Sequence, residues 1–187
     1  MNIVGTLKRF VKRHRFVPKG ADFGVDSFVR RPWLWFNRDA IKVGKNVFIG
    51  RESVFHPVTK YAGVSHTPSI KVGDGTYIGG YCQIHAMGRI EIGPECVLSE
   101  HVYISDIAHG MQILPTPIME QPLESKGPVL IGRRVFLGYR VAVLPGVELG
   151  DHCIVGTNSV VTRSFPAGSV IAGSPARLMK MRPGFDA

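Results

Sequence analysis

The feature that most constrains this chain is a set of mostly aliphatic residues spaced six positions apart. The spacing holds in four runs: Val43, Ile49, Phe55; Val72, Ile78, Ile84; Ile92, Leu98, Ile104; and Ile131, Leu137, Val143, Leu149, Val155, Val161. A period of six matches neither the 3.6-residue turn of an α-helix nor the alternation of a simple strand. It matches a short strand followed by a tight turn, repeated, so the chain is predicted to form a solenoid.

A second set of residues supports this prediction. Four positions after most members of the series stands a small or β-branched residue: Val47, Ser53, Thr76, Cys82, Cys96, Val102, Val135, Val141, Val147, Cys153 and Ser159. Three such units close a triangular coil, with the aliphatic side chain inside the prism and the small one at its corner. The pattern therefore indicates an all-β fold, a parallel β-helix built from hexapeptide repeats. The three cysteines occupy corner positions and are predicted to be buried packing residues without a chemical role.

The series is interrupted three times, at 55–72, 84–92 and 104–131. If the coils stack in register, all three insertions leave from one corner of the prism. The longest begins inside "YISDIAHG", which places His109 in a long loop that projects from a rigid wall. Functional residues are often carried on such loops, so this loop is the predicted site.

Composition bounds the partners and the compartment. The 187 residues fit one domain, and the formal charge of +9 favours an anionic partner. No zinc-finger or helix-turn-helix pattern accompanies that charge, so a nucleic acid is not expected. An odd number of cysteines, no apolar run near 18 residues and no signal peptide together predict a cytoplasmic protein.

The N-terminal stretch "TLKRFVKRHRF" is predicted to be a short basic amphipathic helix. We favour a solvated helix packed on the first coil; the alternative is a peripheral contact with the inner face of the membrane. The expected organisation is a basic helical segment over 1–20, the β-helix domain over 21–175 with an inserted loop at 106–128, and a C-terminal tail over 176–187.

Three motifs resemble the left-handed β-helix acyltransferases, in particular the branch of maltose and polysaccharide O-acetyltransferases that use acetyl-CoA. They are "VYISDIAHG", "KGPVLIGRRVFLGYRVAVLPGVELGDHCIVGTNSVVTRS" and "IAGSPARLMK". The resemblance runs from about Val43 to Lys180. It implies a left-handed solenoid, a homotrimer with active sites between subunits, a sugar or oligosaccharide acceptor and no resident metal.

The resemblance also implies roles for single residues. His109 would be the general base; Gly138, Tyr139 and Thr157 would line the pantetheine groove of acetyl-CoA. The residues expected near its adenine and 3′-phosphate are Thr162, Arg163 and Arg177. This chain departs from the family pattern at Gly79, where maltose-type enzymes have an asparagine, and at Phe136, where many relatives have tryptophan. The acceptor is therefore expected to differ from maltose.

The proposed chemistry needs a base that removes the hydroxyl proton during attack on a thioester. A neutral imidazole, with an ordinary pKa of roughly 6.5, suits this task. Asp106 could orient the His109 ring or cap the turn where its strand ends, and both roles remain open. His85 is expected one coil below the loop, under Ser105, where it could line the acceptor pocket or lie on the surface.

Three alternatives remain at this point. One is N-acetylation of an amino sugar or an aminated antibiotic on the same scaffold. Another is a trimeric zinc carbonic anhydrase, although His101 and His109 lack the five-residue spacing of its ligands. The third is a non-catalytic solenoid, which would need neither the interrupted coil nor a CoA site.

Overall fold

The computed structural model describes residues 16–31 and 33–185 and shows a three-sided prism of six stacked coils. The first two coils comprise β1 (Asp22–Phe23), β2 (Phe28–Val29), β3 (Trp33–Trp35), β4 (Ile41–Val43), β5 (Phe48–Ile49) and β6 (Ser53–Pro57). After a hairpin of β7 (Lys60–Tyr61) and β8 (Val64–Ser65), the next two coils comprise β9 (Ser69–Val72), β10 (Tyr77–Ile78), β11 (Gln83–Ala86), β12 (Arg89–Ile92), β13 (Val97–Leu98) and β14 (Tyr103–Ser105).

A second hairpin, β15 (Ala108–His109) and β16 (Leu123–Glu124), separates the fourth coil from the fifth. The remaining strands are β17 (Val129–Ile131), β18 (Phe136–Leu137), β19 (Ala142–Val143), β20 (Glu148–Leu149), β21 (Ile154–Val155), β22 (Val160–Val161), β23 (Ser169–Gly173) and β24 (Ala176–Met181). Two short 3₁₀ helices span Arg38–Ala40 and Ile118–Glu120.

The prism has three faces. Face A has the strand order β2-β5-β10-β13-β18-β21-β23-β24; face B has β1-β4-β9-β12-β17-β20; face C has β3-β6-β11-β14-β19-β22. The pairings between coils are parallel, and β24 returns antiparallel along β23. We name each corner by its two faces in chain order: B–A, A–C and C–B. The predicted left-handed parallel β-helix is confirmed.

The residues of the six-residue series form the core. They point into the prism and are at most 4% exposed, and the small residues four positions later are at most 1% exposed. Each face of the coil receives one inward side chain per six-residue unit, and a shorter spacing would not achieve this on all three faces. The period in the sequence therefore follows from the geometry of the triangular coil. The three cysteines are completely buried, as predicted.

The solenoid begins one coil earlier than the aliphatic series indicated. Phe23, Val29 and Trp35 are also six residues apart and lie on β1, β2 and β3. The ring of Trp35 is 4% exposed and packs 4.3 Å from the ring of Phe55 on the next coil. Because two of the three inward residues are aromatic, a search for aliphatic residues did not detect this coil.

Both hairpins leave from the C–B corner, as predicted for insertions in stacked coils. One connects β6 to β9 and the other connects β14 to β17. The third interruption of the series, 84–92, is only a two-residue turn at Met87–Gly88, since β11 extends to Ala86 and β12 begins at Arg89. The two hairpins are thus separated by two coils, the third and the fourth, which this short turn joins.

The sequence predicted a basic helix at the start of the chain and a tail at its end. Most of the predicted basic helix, residues 1–15, lies outside the described residues, and so does its proposed membrane contact. Within the described part of the chain no helix has the length and hydropathy needed to cross a bilayer. The segment 176–187, expected as a tail, contributes β24 to face A.

Candidate functional site

His109 lies on the long loop, one strand beyond the end of face C. It belongs to β15, where it pairs with Leu123 of the antiparallel β16, and its side chain is exposed. Leu123 is buried, so the hairpin is anchored while the imidazole faces outward. An anchored but accessible imidazole is the geometry that a general base requires.

Tyr61 connects the first hairpin to this loop. Its ring meets the His109 ring edge to face with centroids 5.8 Å apart, and its hydroxyl donates a hydrogen bond of 2.7 Å to the carbonyl oxygen of Met119. Both insertions therefore cooperate at the candidate site. The sequence analysis assigned no role to Tyr61; the shared corner of the two insertions was the available signal.

Asp106 is 1% exposed and lies where face C gives way to the loop. Its carboxylate accepts hydrogen bonds from the backbone N–H of Met87 at 2.8 Å and of Gly88 at 2.9 Å. Burial raises the pKa of this carboxyl, while those backbone donors act in the opposite direction. Across residues 16–31 and 33–185 no hydrogen bond joins it to His109. These contacts hold the two-residue turn of the coil below, a different turn from the one at the end of its own strand that the sequence suggested.

His85 lies in the predicted register, between His56 of β6 and Ser105 of β14 on the outside of face C. Its ring centroid is 5.7 Å from that of His56 and 5.7 Å from that of Tyr103, and its Nε2 lies 3.3 Å from Oε1 of Gln83. Burial lowers the pKa of both histidines, and the charge of His56 lowers that of His85 further. Burial on face C therefore favours the neutral form of both imidazoles.

The predicted pantetheine residues lie together at the A–C corner of the fifth and sixth coils. Gly138 directly follows β18, and a Cβ atom there would lie 2.7 Å from the backbone nitrogen of Thr157. Tyr139 and Thr157 are exposed beside it. Arg177 pairs with Ala172 near the same corner. A narrow backbone step flanked by exposed polar groups and a cation fits an extended chain that ends in phosphate.

Thr162 and Arg163 follow β22 and lie at the C–B corner instead. Both are exposed, and the Arg163 guanidinium stands 5.2 Å from the centroid of the Phe165 ring. The expected CoA residues thus divide between the two edges of face C. His109 is on the C–B side, with Thr162 and Arg163.

Gly79 is at the A–C corner after β10. A Cβ there would come within 2.7 Å of the Glu100 nitrogen, so the coil stacks too tightly for a side chain without adjustment. Within one chain face C separates Gly79 from His109. The position at which relatives have an asparagine is therefore on the opposite edge from the imidazole.

The other candidate groups are the cysteine thiols and the side chains that could bind a metal ion. Burial raises the pKa of the Cys82 thiol to about 12 and that of Cys96 to about 11, which leaves both protonated. Among the residues that the structure describes, no three His, Cys, Asp or Glu side chains are grouped so that they could hold a metal ion.

Comparison with known proteins gives a consistent result. A family model described as the hexapeptide repeat of succinyl-transferase matches residues 128–163. WcaF of Escherichia coli, whose name proposes a colanic acid biosynthesis acetyltransferase, is 30% identical over 141 residues, which cover 75% of this chain and 69% of WcaF. WbbJ of the same organism, whose name proposes an O-acetyl transferase of lipopolysaccharide biosynthesis, is 38% identical over 114 residues, covering 57% of this chain and 58% of WbbJ.

A probable acetyltransferase of Mycobacterium tuberculosis is 31% identical over 142 residues, covering 76% of this chain but 44% of that protein. The chain thus spans about half to two thirds of the length of these curated relatives. Among solved structures, the N-acyltransferase AntD of Bacillus cereus, in complex with dTDP and coenzyme A, superposes with a TM-score of 0.73 at 18% identity, covering 95% of this chain and 89% of AntD. At that identity the superposition supports the fold.

Proposed function

Because the chain belongs to the hexapeptide-repeat acetyltransferases, we propose that it is an acetyl-CoA-dependent O-acetyltransferase that acts on a sugar hydroxyl. The acceptor is a bacterial surface polysaccharide or its precursor, and His109 is the general base. The observation that carries the proposal is the exposed imidazole of His109, held by an anchored hairpin in the long insertion where the coil series breaks off.

The reaction assigns a defined step to His109. Acetyl-CoA supplies the acetyl group as a thioester. The imidazole removes the proton of the acceptor hydroxyl while the hydroxyl oxygen forms a bond to the carbonyl carbon of the acetyl group. The C–S bond then breaks, and the proton passes from the imidazole to the departing thiolate. The contact with Tyr61 restricts the ring and supports this geometry. Asp106 supports it indirectly, by tying the base of the loop to the Met87–Gly88 turn.

The location of the CoA residues supports a homotrimer with sites between subunits. Gly138, Tyr139 and Thr157 are on the A–C corner, whereas His109 is on the far edge of face C. Two copies that place one chain's A–C corner beside the other's loop would bring them together, and three such contacts close a ring.

Face A offers an apolar surface for this association. Its outward ladder includes Val97 and Phe136, which are 41% and 40% exposed. Phe136, the residue that replaces tryptophan of many relatives, is thus part of this surface. Rows of exposed apolar side chains on one face are typical of interfaces.

A peripheral membrane contact is a separate part of the proposal. Residues 1–20 carry six Lys and Arg residues and no Asp or Glu. Such a segment is attracted to anionic lipid and could keep the enzyme near a lipid-linked acceptor.

The test follows thiol release from acetyl-CoA with neutral sugars, acidic sugars and amino sugars, for wild type and His109→Ala. We expect turnover with a hydroxyl acceptor and a loss of about 100-fold or more in the variant, since general bases contribute roughly 10² to 10⁴. Because His109 is exposed, the variant should fold and bind CoA normally.

Two results would count against the proposal. A near wild-type rate in His109→Ala would remove the base assignment and direct attention to His85. Turnover restricted to amino sugars would indicate N-acetylation, and a chain that binds no CoA would not be an acetyltransferase of this type.

A further inference from the structure

A small cleft on the A–C corner has no part in the acetyl transfer described above. It spans the first four coils, has a volume of about 100 Å³, and is lined by Arg30, Phe48, Gly50, Arg51, Tyr77, Gly80, Tyr81 and Glu100. Gly80 contributes no side chain beside Arg51, which leaves the space there open. This volume exceeds the roughly 10–15 Å³ that one water needs, so the cleft has room for a small charged substituent.

The charges around the cleft favour an anion. Its lining includes two arginines, Arg30 and Arg51, and one carboxylate, that of Glu100. The Arg51 guanidinium lies 5.5 Å from the centroid of the Tyr81 ring, and among residues 16–31 and 33–185 it has no carboxylate partner. An exposed guanidinium held against an aromatic ring is oriented for a bidentate contact with carboxylate or phosphate.

Tyr77 lines the cleft together with these charged groups. The pKa of its hydroxyl is raised first by burial and then by the charge of Glu100, and it is lowered by Arg30. Its ring stacks on Phe48 at 4.9 Å and 10°, so it forms a fixed wall. Glu100 is exposed and can accept hydrogen bonds from hydroxyl groups. A cation, a flat aromatic wall and a hydroxyl acceptor together suit an acidic carbohydrate.

An aromatic track leads from the cleft to the predicted acetyl-CoA groove. Tyr81 and His101 stack at 4.8 Å and 7°, and His101 meets Tyr139 edge to face at 5.3 Å. The coils are in register here, since the Tyr81 nitrogen bonds to the Arg51 oxygen and the His101 nitrogen to the Gly80 oxygen. From Arg51 to Tyr139 is three coils, about 14 Å at the ~4.8 Å strand spacing.

We propose that this cleft binds an acidic group, a carboxylate or a phosphate, on the acceptor glycan, and that the glycan extends along Tyr81 and His101 toward Tyr139. Arg51 is the main contact of the acidic group, with Arg30 beside it. The inference rests on the proposed function and adds the acceptor's chemical class: an anionic glycan rather than a neutral one.

The experiment uses three ligands with the same ring: methyl β-D-glucuronide, methyl β-D-glucoside and methyl β-D-glucoside 6-phosphate. Binding by calorimetry and acetyl transfer from acetyl-CoA are both measured, for wild type, Arg51→Gln and Arg133→Gln. Arg133→Gln is the matched control, because it removes the same charge from an exposed arginine that pairs with Asp151 at the B–A corner.

We expect at least one acidic ligand to bind about tenfold more tightly than the glucoside to wild type and to Arg133→Gln. Arg51→Gln should lose this preference, and added salt should reduce it. Preference for the glucuronide identifies a carboxylate, and preference for the 6-phosphate identifies a phosphate. Equal binding of all three ligands, or a preference that survives in Arg51→Gln, would overturn the proposal.

The two readouts separate this inference from the proposed function. Acetyl transfer without any preference for an acidic ligand would leave the function standing and remove the cleft assignment. An Arg51-dependent binding preference without acetyl transfer would do the reverse.

Discussion

His56 and His85 pair across adjacent strands, and their burial makes the free energy of unfolding depend on pH. Both have a lowered pKa in the folded state. In the range below about 6.5 the unfolded chain therefore binds more protons than the native state. By linkage, the free energy of unfolding falls as the pH falls through this range and is unaffected by these groups above it.

We predict that denaturant unfolding at pH 5 and pH 7.5 shows this loss in wild type and a smaller loss in His85→Gln. A glutamine keeps a polar side chain beside Gln83 but cannot be protonated. His109→Gln is the control, because it makes the same substitution at a ring that is exposed on the loop. An identical slope in wild type and His85→Gln would contradict the prediction.

Single side chains also show how far sequence reasoning reaches. The register of His85 beneath Ser105 followed from counting coils, and the structure agrees. The contacts of Asp106 did not follow, since both of its possible roles suit an aspartate at a strand end. Its partners, Met87 and Gly88, became visible only with the coil below in place. Local pattern predicts which face a residue is on, but a contact between turns depends on the three-dimensional stacking.

Glycines at the B–A corner determine how closely the coils stack. At Gly93 a Cβ would lie 2.5 Å from the carbonyl oxygen of Gly132, which is backbone and cannot turn aside. Gly63 at the tip of the first hairpin has a φ of +79° and nothing within 4 Å of an added Cβ. Gly93 therefore reports on steric exclusion between coils, whereas Gly63 reports on the local preference for a left-handed backbone.

We predict that Gly93→Ala lowers the free energy of unfolding by more than about 3 kcal/mol, because two coils must move apart. Gly63→Ala should cost about 1 kcal/mol, the ordinary penalty of a left-handed backbone. Chemical denaturation of both variants measures the difference. Comparable losses would mean that the coil spacing is more adaptable than the close approach suggests.

Among the strands, the period of six was sufficient to predict the coils from Val43 onward, because each face must receive one inward residue per unit. The first coil was missed for a chemical reason: Phe23 and Trp35 fill the prism near its end with rings rather than aliphatic chains. The hairpins β7–β8 and β15–β16 have no such period. Their position at the C–B corner was predictable, but the contact of Tyr61 with His109 was not.

For the homotrimer proposed above, the separation of His109 from the predicted groove residues by face C makes a direct prediction about mixed oligomers. His109→Ala and Thr157→Trp should each be inactive alone, the first without a base and the second with the groove filled. Subunits refolded together should recover activity, because a site between two chains can take His109 from one and Thr157 from the other. Random mixing in a trimer would restore about a quarter of the sites.

The control mixes each variant with itself under the same conditions, and light scattering confirms that the oligomers form. Absence of recovery in correctly sized mixed oligomers would show that each chain builds its site alone.

The three buried thiols can report where neighbouring coils of the prism separate. Cys82, Cys96 and Cys153 lie on the third, fourth and sixth coils, and each donates toward a backbone carbonyl of a neighbouring turn. A reagent in solution can reach one of them only when the adjoining coil separates from its neighbour. Native-state alkylation rates therefore report coil by coil on where the solenoid frays, without any introduced label.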